Sequence, residues 1–461
     1  MGKTILVVGG GAAGMSAASR AKRINKENKV IVVEKTRYIS FALCGIPYYV
    51  SGIVKSLEDL LHYPPEEFTV KRGIQVLFNT EVVDIDPEDK KAVIIDKKNG
   101  EKRVLQWDKL VLATGAKPRL PSYLEGLEIP EGIFYVSHLE DAERIRSYAI
   151  RKKGGTAVVA GTGYLGLEMA EALTRIGLRV TLVGRREHVL YKSLDEDMAV
   201  HVTSHLEKNG VRIMSGNPVV GIERRGDALR VELESGENIN ADLAVLATGV
   251  KPNTDLAEKM RLRIGSSGAV WVDGYLRTSI PDIYSAGDNT ETVNIVTGER
   301  TWFPFATVAN KMGFIAGTNI GLGKDKAVFQ GVVGTSTLKV FDMVIASTGL
   351  TERDARKKGF EPVAVSVEAR NKPHYMPGIR KLVLKIVADK KTGLLLGAQG
   401  LGDDSVFWRV NIIASLIMKK STIWDLFYTD LGYAPPLAPA WDPIVIAGRL
   451  LMREFGIEPK L

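Results

Sequence analysis

Thr4-Ile5-Leu6-Val7-Val8-Gly9-Gly10-Gly11-Ala12-Ala13-Gly14-Met15, with Val30-Ile31-Val32-Val33-Glu34 to follow, is the stretch that decides the fold. Thr4–Val8 reads as a short buried strand, Met15–Arg23 as a helix and Val30–Val33 as the next strand. The glycines between them permit a tight turn and let the backbone approach a pyrophosphate, whose charge the helix N-terminus favours. Glu34 stands twenty residues after Gly14, where an acid accepts from ribose hydroxyls. Strand, glycine turn, helix, strand and terminal acid together predict a dinucleotide-binding unit.

The pattern recurs about 150 residues later. Thr156–Ala160 runs into Gly161-Thr162-Gly163-Tyr164-Leu165-Gly166, a helix through Ile176, and the strand Val180–Val183. Each unit is followed by an apolar strand ending in Ala-Thr-Gly, Lys109–Gly115 in one and Leu243–Gly249 in the other. Two such units imply two dinucleotides facing each other, the arrangement that hydride transfer between cofactors needs. The second unit ends at Gly184, where the first has Glu34, and Arg185 and Arg186 follow. Losing the acid and gaining two arginines favours a 2′-phosphate, so NADPH is expected over NADH, with NADH left open.

Ile283–Asp288 reads as a further strand and turn whose acid faces the first dinucleotide. Phe303–Thr307 opens a helix expected to reach Ala316. The last ~130 residues have another texture: strands at Gly331–Val340, Met343–Thr348 and Lys381–Ala388, then a helix near Ser405–Lys419. The expected architecture is α/β, with two Rossmann-like dinucleotide-binding domains and a C-terminal α+β domain. The boundaries are 1–115 with 250–325, 116–249, and 326–461.

Composition narrows the class. Hydrophobic residues at 45% and charged residues at 25% are those of a soluble globular protein. No apolar run reaches the ~18 residues that cross a bilayer. Ile5–Val8 is too short for the apolar core of a signal peptide. The net charge of +8 is interspersed with Glu and Asp and accompanies no nucleic-acid motif. One cysteine excludes an internal disulfide and a multi-cysteine zinc site, and points to the cytoplasm. His201 and His205 share a helical spacing but find no third ligand motif, so no metal is expected.

That one cysteine lies in Ser40-Phe41-Ala42-Leu43-Cys44-Gly45-Ile46-Pro47-Tyr48-Tyr49, just beyond the first unit. A thiol beside a dinucleotide site, flanked by small residues, reads as a redox nucleophile.

These motifs resemble the flavin- and nicotinamide-dependent disulfide reductase superfamily over the whole chain. The similarity is to its single-cysteine branch: coenzyme A disulfide reductases and the related NAD(P)H oxidases, peroxidases and persulfide reductases. Gly9–Gly14 with Glu34, Ser40–Tyr48, Ala113–Gly115, Gly161–Glu168, Ala247–Gly249, Ser285–Asp288 and Tyr433-Ala434-Pro435-Pro436 carry it. The peroxidase and water-forming oxidase members carry a histidine in the first glycine turn, where this chain has Ala12. Asn commonly precedes the cysteine in the reductases, where this chain has Leu43.

The resemblance implies FAD on Gly9, Gly11, Ala12, Ala13, Gly14, Glu34, Lys35, Ser40, Phe41, Val82, Ala113, Thr114, Gly115, Asp288 and Ala306. It implies NAD(P)H on Gly161, Gly163, Tyr164, Leu165, Gly166, Glu168, Arg185, Arg186 and Gly249. Cys44 would be the nucleophile, its thiol pKa lowered by the flavin and local backbone dipoles. Tyr433 and Tyr375, brought by the partner of a homodimer, would donate protons. Arg20, Lys22, Arg23, Lys71 and Arg72 would face the phosphates of coenzyme A. No appended rhodanese domain is expected. The implied activity is reduction of coenzyme A disulfide, persulfide or polysulfide. The alternatives are an NAD(P)H oxidase acting on O2 and, from another class, a flavin redox sensor with little turnover.

Overall fold

The computed structural model describes residues 2–126 and 128–457. Its α/β architecture rests on three five-stranded sheets. The first is parallel and runs Ile283–Ser285, Lys109–Leu112, Thr4–Val8, Lys29–Val33, Gln75–Leu77. Its inner strands are continuous apolar runs because both faces are covered. The second sheet repeats this plan with Ile133–Tyr135, Leu243–Leu246, Thr156–Ala160, Arg179–Val183 and Arg212–Met214.

The repeated Ala-Thr-Gly has a geometric cause. Each such strand lies beside the strand that opens its unit, pairing Val8 with Leu112 and Ala160 with Leu246. A Cβ on Gly9 would stand 2.2 Å from the carbonyl oxygen of Ala113, and one on Gly161 would stand 2.1 Å from that of Ala247. Both glycines also sit at positive φ, +108° and +125°, which other residues rarely adopt. Between the units the chain crosses on two strands, Ala116–Pro118 and Val250–Pro252, paired antiparallel.

Helix Ala12–Ile24 packs along helix Ala306–Leu322 through small residues. Gly313 and Gly317 lie so close to the backbone of Ala13 and Ala17 that a Cβ would come within 2.2 and 2.4 Å of their carbonyl oxygens. This contact sets the two helices parallel, so both N-termini open toward the same side. The second helix runs past the expected Ala316, because only Gly323, in the left-handed region, stops it.

The third sheet is antiparallel, in the order Ser336–Val340, Met343–Gly349, Leu395–Gly402, Lys381–Asp389, Pro362–Arg370. Helices Ser405–Met418 and Pro443–Glu454 bury apolar faces in the same core. The strand expected from Gly331 begins only at Ser336, since Gly331 and Gly334 have φ of +105° and +79° and turn the chain instead. Two of its strands and the last helix were not expected. Leu395–Gly402 hides its strand character behind three glycines. Asp442-Pro443, a cap followed by proline at the first turn, was a usable start signal.

A polar seam locks the second unit to the third sheet. Lys385, 6% exposed, reaches Asp197 at 2.9 Å and Asp195 and Glu352 at 3.3 Å. The Gln399 amide donates to Asp195 Oδ2 at 2.6 Å and accepts from its backbone N–H. Burial pushes the Asp195 carboxyl up, but the Gln399 amide, the Glu352 N–H and Lys385 outweigh it and hold its pKa low. The carboxylate therefore stabilises the seam above the ordinary Asp pKa and loses that contribution as pH falls through its depressed value. Lys385→Ala leaves the buried Asp195 carboxylate without its cation and should cost on the order of 3 kcal/mol. Thermal unfolding of the variant should show a clearly lower Tm, while Lys91→Ala, at an exposed ion pair, should not move it.

Candidate active site

One cleft of about 1960 Å³ opens where the C-terminal ends of both parallel sheets face each other and the third sheet closes the side. From the first unit it receives Gly9, Gly11, Ala12, Ala13, Glu34 and Lys35, then Ser40, Phe41, Val82 and Ala113–Gly115, with Asp288 and Ala306 beyond. From the second come Gly163, Tyr164, Leu165, Glu168 and Gly249. Gly14, Gly161 and Gly166 do not line it but shape it from behind. A Cβ on Gly14 would meet the Gly9 carbonyl at 1.9 Å, and one on Gly166 the Gly161 carbonyl at 1.8 Å. Gly11 and Gly163, at the matching middle positions, have open space before them.

The floor of the first unit is built for an anion and a polyol. The helices starting at Ala12 and Ala306 have no side-chain cap, so their first N–H groups stay available. Glu34 is buried and held in place, accepting from the Gly10 N–H at 2.7 Å and from Thr36 N–H and Oγ1 at 2.8 Å. Asp288 Oδ1 is buried without a partner among the described residues, and burial pushes its carboxyl up to about 6. A buried acceptor facing a cleft needs a donor from what the cleft holds. These features fit the ribose, pyrophosphate and polyol chain of a flavin dinucleotide.

The second unit exchanges two residues of this plan. Thr162 stands where the first has Gly10, and Gly184 where the first has Glu34. A Cβ on Gly184 would come within 2.4 Å of the Thr162 methyl, so the threonine fills the place an acid would need. Arg185 and Arg186 beyond it are exposed and pair with no carboxylate among the described residues, and Arg186 lies 4.9 Å over the Tyr191 ring. Tyr164 does more than line the cleft: its hydroxyl bonds Ser193 at 2.8 Å and Ser336 of the third sheet.

Cys44 sits in a single turn, Leu43–Gly45, that leads into helix Ile46–Val50. Ser40, at φ +51°, and the bonds Ser40 N–H to Gly10 and Ala42 N–H to Leu60 set the loop's path. Gly45 is required because Leu60 packs where its Cβ would be, at 2.3 Å. The thiol opens to the cleft from a recess in its wall. Burial in that recess pushes its pKa up, and the carboxylates of Glu168 and Asp288 add to the rise. The expected lowering by the local backbone is present but outweighed, which corrects the expectation for the protein's own groups. Burial likewise pushes Glu168 up to about 7, helped by Glu171. Glu171, one turn along the helix, is a residue that sequence reasoning missed; its i,i+3 spacing was the signal. Trp302, donating to the Asp288 carbonyl at 2.8 Å, was missed as well.

The five cations expected at coenzyme A divide. Arg20, Arg23 and Arg72 line the cleft. Lys22 instead donates to the carbonyls of Lys26 and Asn28, and Lys71 pairs with Glu67 outside the cleft, so neither is brought to it. Tyr375 and Tyr433 also lie outside this cleft. Their hydroxyls meet at 3.4 Å on the exposed face of the third domain.

Residues 3–313 match the family pattern described as pyridine nucleotide-disulphide oxidoreductase, and residues 335–443 match its dimerisation domain. The chain belongs to the pyridine nucleotide-disulphide oxidoreductases. Within this family it is 43% identical over 449 residues to an NAD(P)H sulfur oxidoreductase (CoA-dependent) of Pyrococcus abyssi, covering 97% of this chain and 98% of the relative. The structure of an NAD-dependent persulfide reductase from A. fulgidus superposes with a TM-score of 0.93 at 38% identity, over 98% of this chain and 83% of that one. An engineered water-forming NADPH oxidase bound to NADPH, derived from the Lactobacillus brevis NADH oxidase, superposes equally well at 28% identity, covering 98% and 99% of the two chains. The oxidoreductase fold, the single cysteine and the family's pairing of two cofactor units thus stand as the sequence indicated. No helix among the described residues is long and apolar enough to cross a membrane.

The paired glycines make the two units separable. Gly161→Val drives its side chain into the Ala247 carbonyl and should abolish tight binding of the pyridine nucleotide. The flavin absorbance of the purified protein should stay, because Gly9 and Ala113 are untouched. Equilibrium dialysis with NADPH and a visible spectrum check both halves.

Proposed function

We propose that this chain reduces coenzyme A disulfide or coenzyme A persulfide with electrons from NAD(P)H, through FAD and Cys44. The observation that carries this reading is the position of Cys44, the chain's one cysteine, on the wall of a cleft shared by both glycine-turn units. The CoA-dependent and persulfide-reducing relatives support it.

Residues 1–115 and 250–325 would hold FAD, with Gly9–Gly14, Glu34, Lys35, Thr114 and Asp288 as its partners. Residues 116–249 would hold the nicotinamide nucleotide, and residues 326–461 would form the dimer. FAD, when bound, accepts the hydride and passes its electron pair to sulfur. The chain's own part is the thiol chemistry. Cys44 as thiolate attacks one disulfide sulfur, forming a new S–S bond and expelling a coenzyme A thiolate. Arg20, Arg23 and Arg72 would meet the phosphates. Arg23 is the freest, since Arg20 lies over Phe314 and Arg72 is shared with Glu67 and Ser19. Tyr375 and Tyr433 are exposed, as are Tyr428, Leu437 and Trp441 of the same domain, and they fit a surface covered by a second copy, which would carry them to its partner's cleft. A free thiol suits the reducing cytoplasm.

Cys44→Ser should abolish reduction of coenzyme A disulfide, by a factor on the order of a thousand, and leave the slow reaction of the reduced flavin with O2. The decisive measurement is stopped-flow reoxidation of the NADPH-reduced protein by coenzyme A disulfide without oxygen. If wild type and variant respond only to O2, the chain is an oxidase.

NADPH is the proposed donor over NADH, because Gly184 stands in place of an acid and Arg185 and Arg186 follow it. The engineered oxidase gained its NADPH-binding form through substitutions that remove an aspartate and introduce two arginines. The double variant Arg185→Ala/Arg186→Ala should raise KM for NADPH about tenfold or more, the loss of roughly one charge-assisted hydrogen bond, and barely move KM for NADH. Steady-state kinetics with both donors tests it.

A further inference from the structure

Two voids meet at Pro47 and Glu168. Beside the main cleft lies a pocket of about 10 Å³, room for roughly one water. Tyr48, Glu168, Glu171 and Lys339 are its titratable walls. Of these, Glu168 alone also lines the cleft that holds Cys44. Glu171 is fixed, accepting from Arg175 Nε at 2.7 Å and from the Phe341 N–H at 2.9 Å. The Glu168 carboxyl makes no hydrogen bond or ion pair among the described residues. Tyr48 and Cys44 face it from the 43–50 segment, Glu171 from its own helix, and Lys339, bonded to Asp404, from the third sheet.

We propose that Glu168 relays the proton that disulfide reduction consumes, from the small pocket into the cleft beside Cys44. The proposal rests on the reductase reading above. One hydride and one solvent proton turn one disulfide into two thiols. The electron pair breaks the S–S bond, and the two sulfurs that leave as thiolates take two protons. One is the hydride's own hydrogen, released once its electrons have moved on. The other enters from solvent, and Glu168 gives it up and is reprotonated through the pocket. An unpartnered carboxyl raised to about 7 by burial and by Glu171 can both give and take up a proton near neutral pH. This puts a proton source on the same subunit as Cys44, upstream of any hydroxyl that a partner brings.

The test uses the flavin-loaded protein and its variants Glu168→Gln and Glu168→Asp. Prereduced protein is mixed with coenzyme A disulfide in weak buffer with a pH indicator, from pH 6 to 9. In wild type, proton uptake should keep pace with flavin reoxidation at pH 6 and fall off as pH rises through about 7. Glu168→Gln should slow uptake at pH 6 at least tenfold and lose that pH limb, and Glu168→Asp should restore part of both. A second readout needs no turnover: alkylation of Cys44 by iodoacetamide against pH. Removing the Glu168 charge should shift the thiolate curve to lower pH. Wild-type uptake and an unshifted alkylation curve in Glu168→Gln would overturn the relay. If coenzyme A disulfide fails to reoxidise wild type at all, the reductase reading falls instead, and an unshifted alkylation curve would still overturn the role of Glu168.

Discussion

Everything in this structure follows from a carbonyl oxygen that permits no side chain opposite it. The Ala113 carbonyl packs against Gly9, and the Ala247 carbonyl packs against Gly161, each closer to the glycine than a Cβ allows. A methyl at either place would push the turn away from the sheet and spoil the aim of the helix N-terminus behind it. Because each carbonyl belongs to the strand that ends in Ala-Thr-Gly, the turn and that strand are one device, used twice. The cleft between the two devices is the consequence.

This explains what the sequence made legible. Glycine turns, their strands and the single thiol are local features with strict steric requirements, and residues as plain as Gly14 and Gly166 declared themselves. The third sheet did not. Its central strand Leu395–Gly402 is nearly all buried, so it lacks the alternation that marks a half-exposed strand, and its glycines imitate a loop. The polar seam of Asp195, Lys385 and Gln399 joins residues about 200 positions apart, and no local pattern announces such a pairing. Lys22 and Lys71 were misplaced for a related reason. Their charge was visible, but the carbonyls of Lys26 and Asn28 and the carboxylate of Glu67, which claim them, are matters of side-chain direction.

The thiol shows a tension between packing and chemistry. A nucleophilic cysteine wants an electropositive site. Here Glu168 and Asp288 both oppose the thiolate, and no lysine or arginine answers them from the 40–50 segment. Both carboxyls are themselves raised by burial, to about 7 and about 6. Their opposition is therefore conditional: a proton on either, or a donor at the open Asp288 oxygen, relieves it. The reactivity of Cys44 is coupled to what occupies the cleft and to how its carboxyls are protonated. A fixed cation beside the sulfur would give no such dependence.

The two units also show how one scaffold serves two nucleotides. Gly10 leaves room for Glu34 to fold back and accept from its N–H, which fixes a carboxylate at the strand's end. Thr162 takes that room in the second unit and obliges Gly184 to be small. With the acid at the strand end excluded sterically, that source of repulsion is gone, and the exposed Arg185 and Arg186 outnumber the exposed Glu187 that follows them. The absence of an acid from this strand end is thus secured by two residues in contact, one at the turn and one at the strand end. Changing Gly184 alone to an acid would collide with Thr162 before it reached a ribose, so placing an acid at this strand end has to pass through both positions.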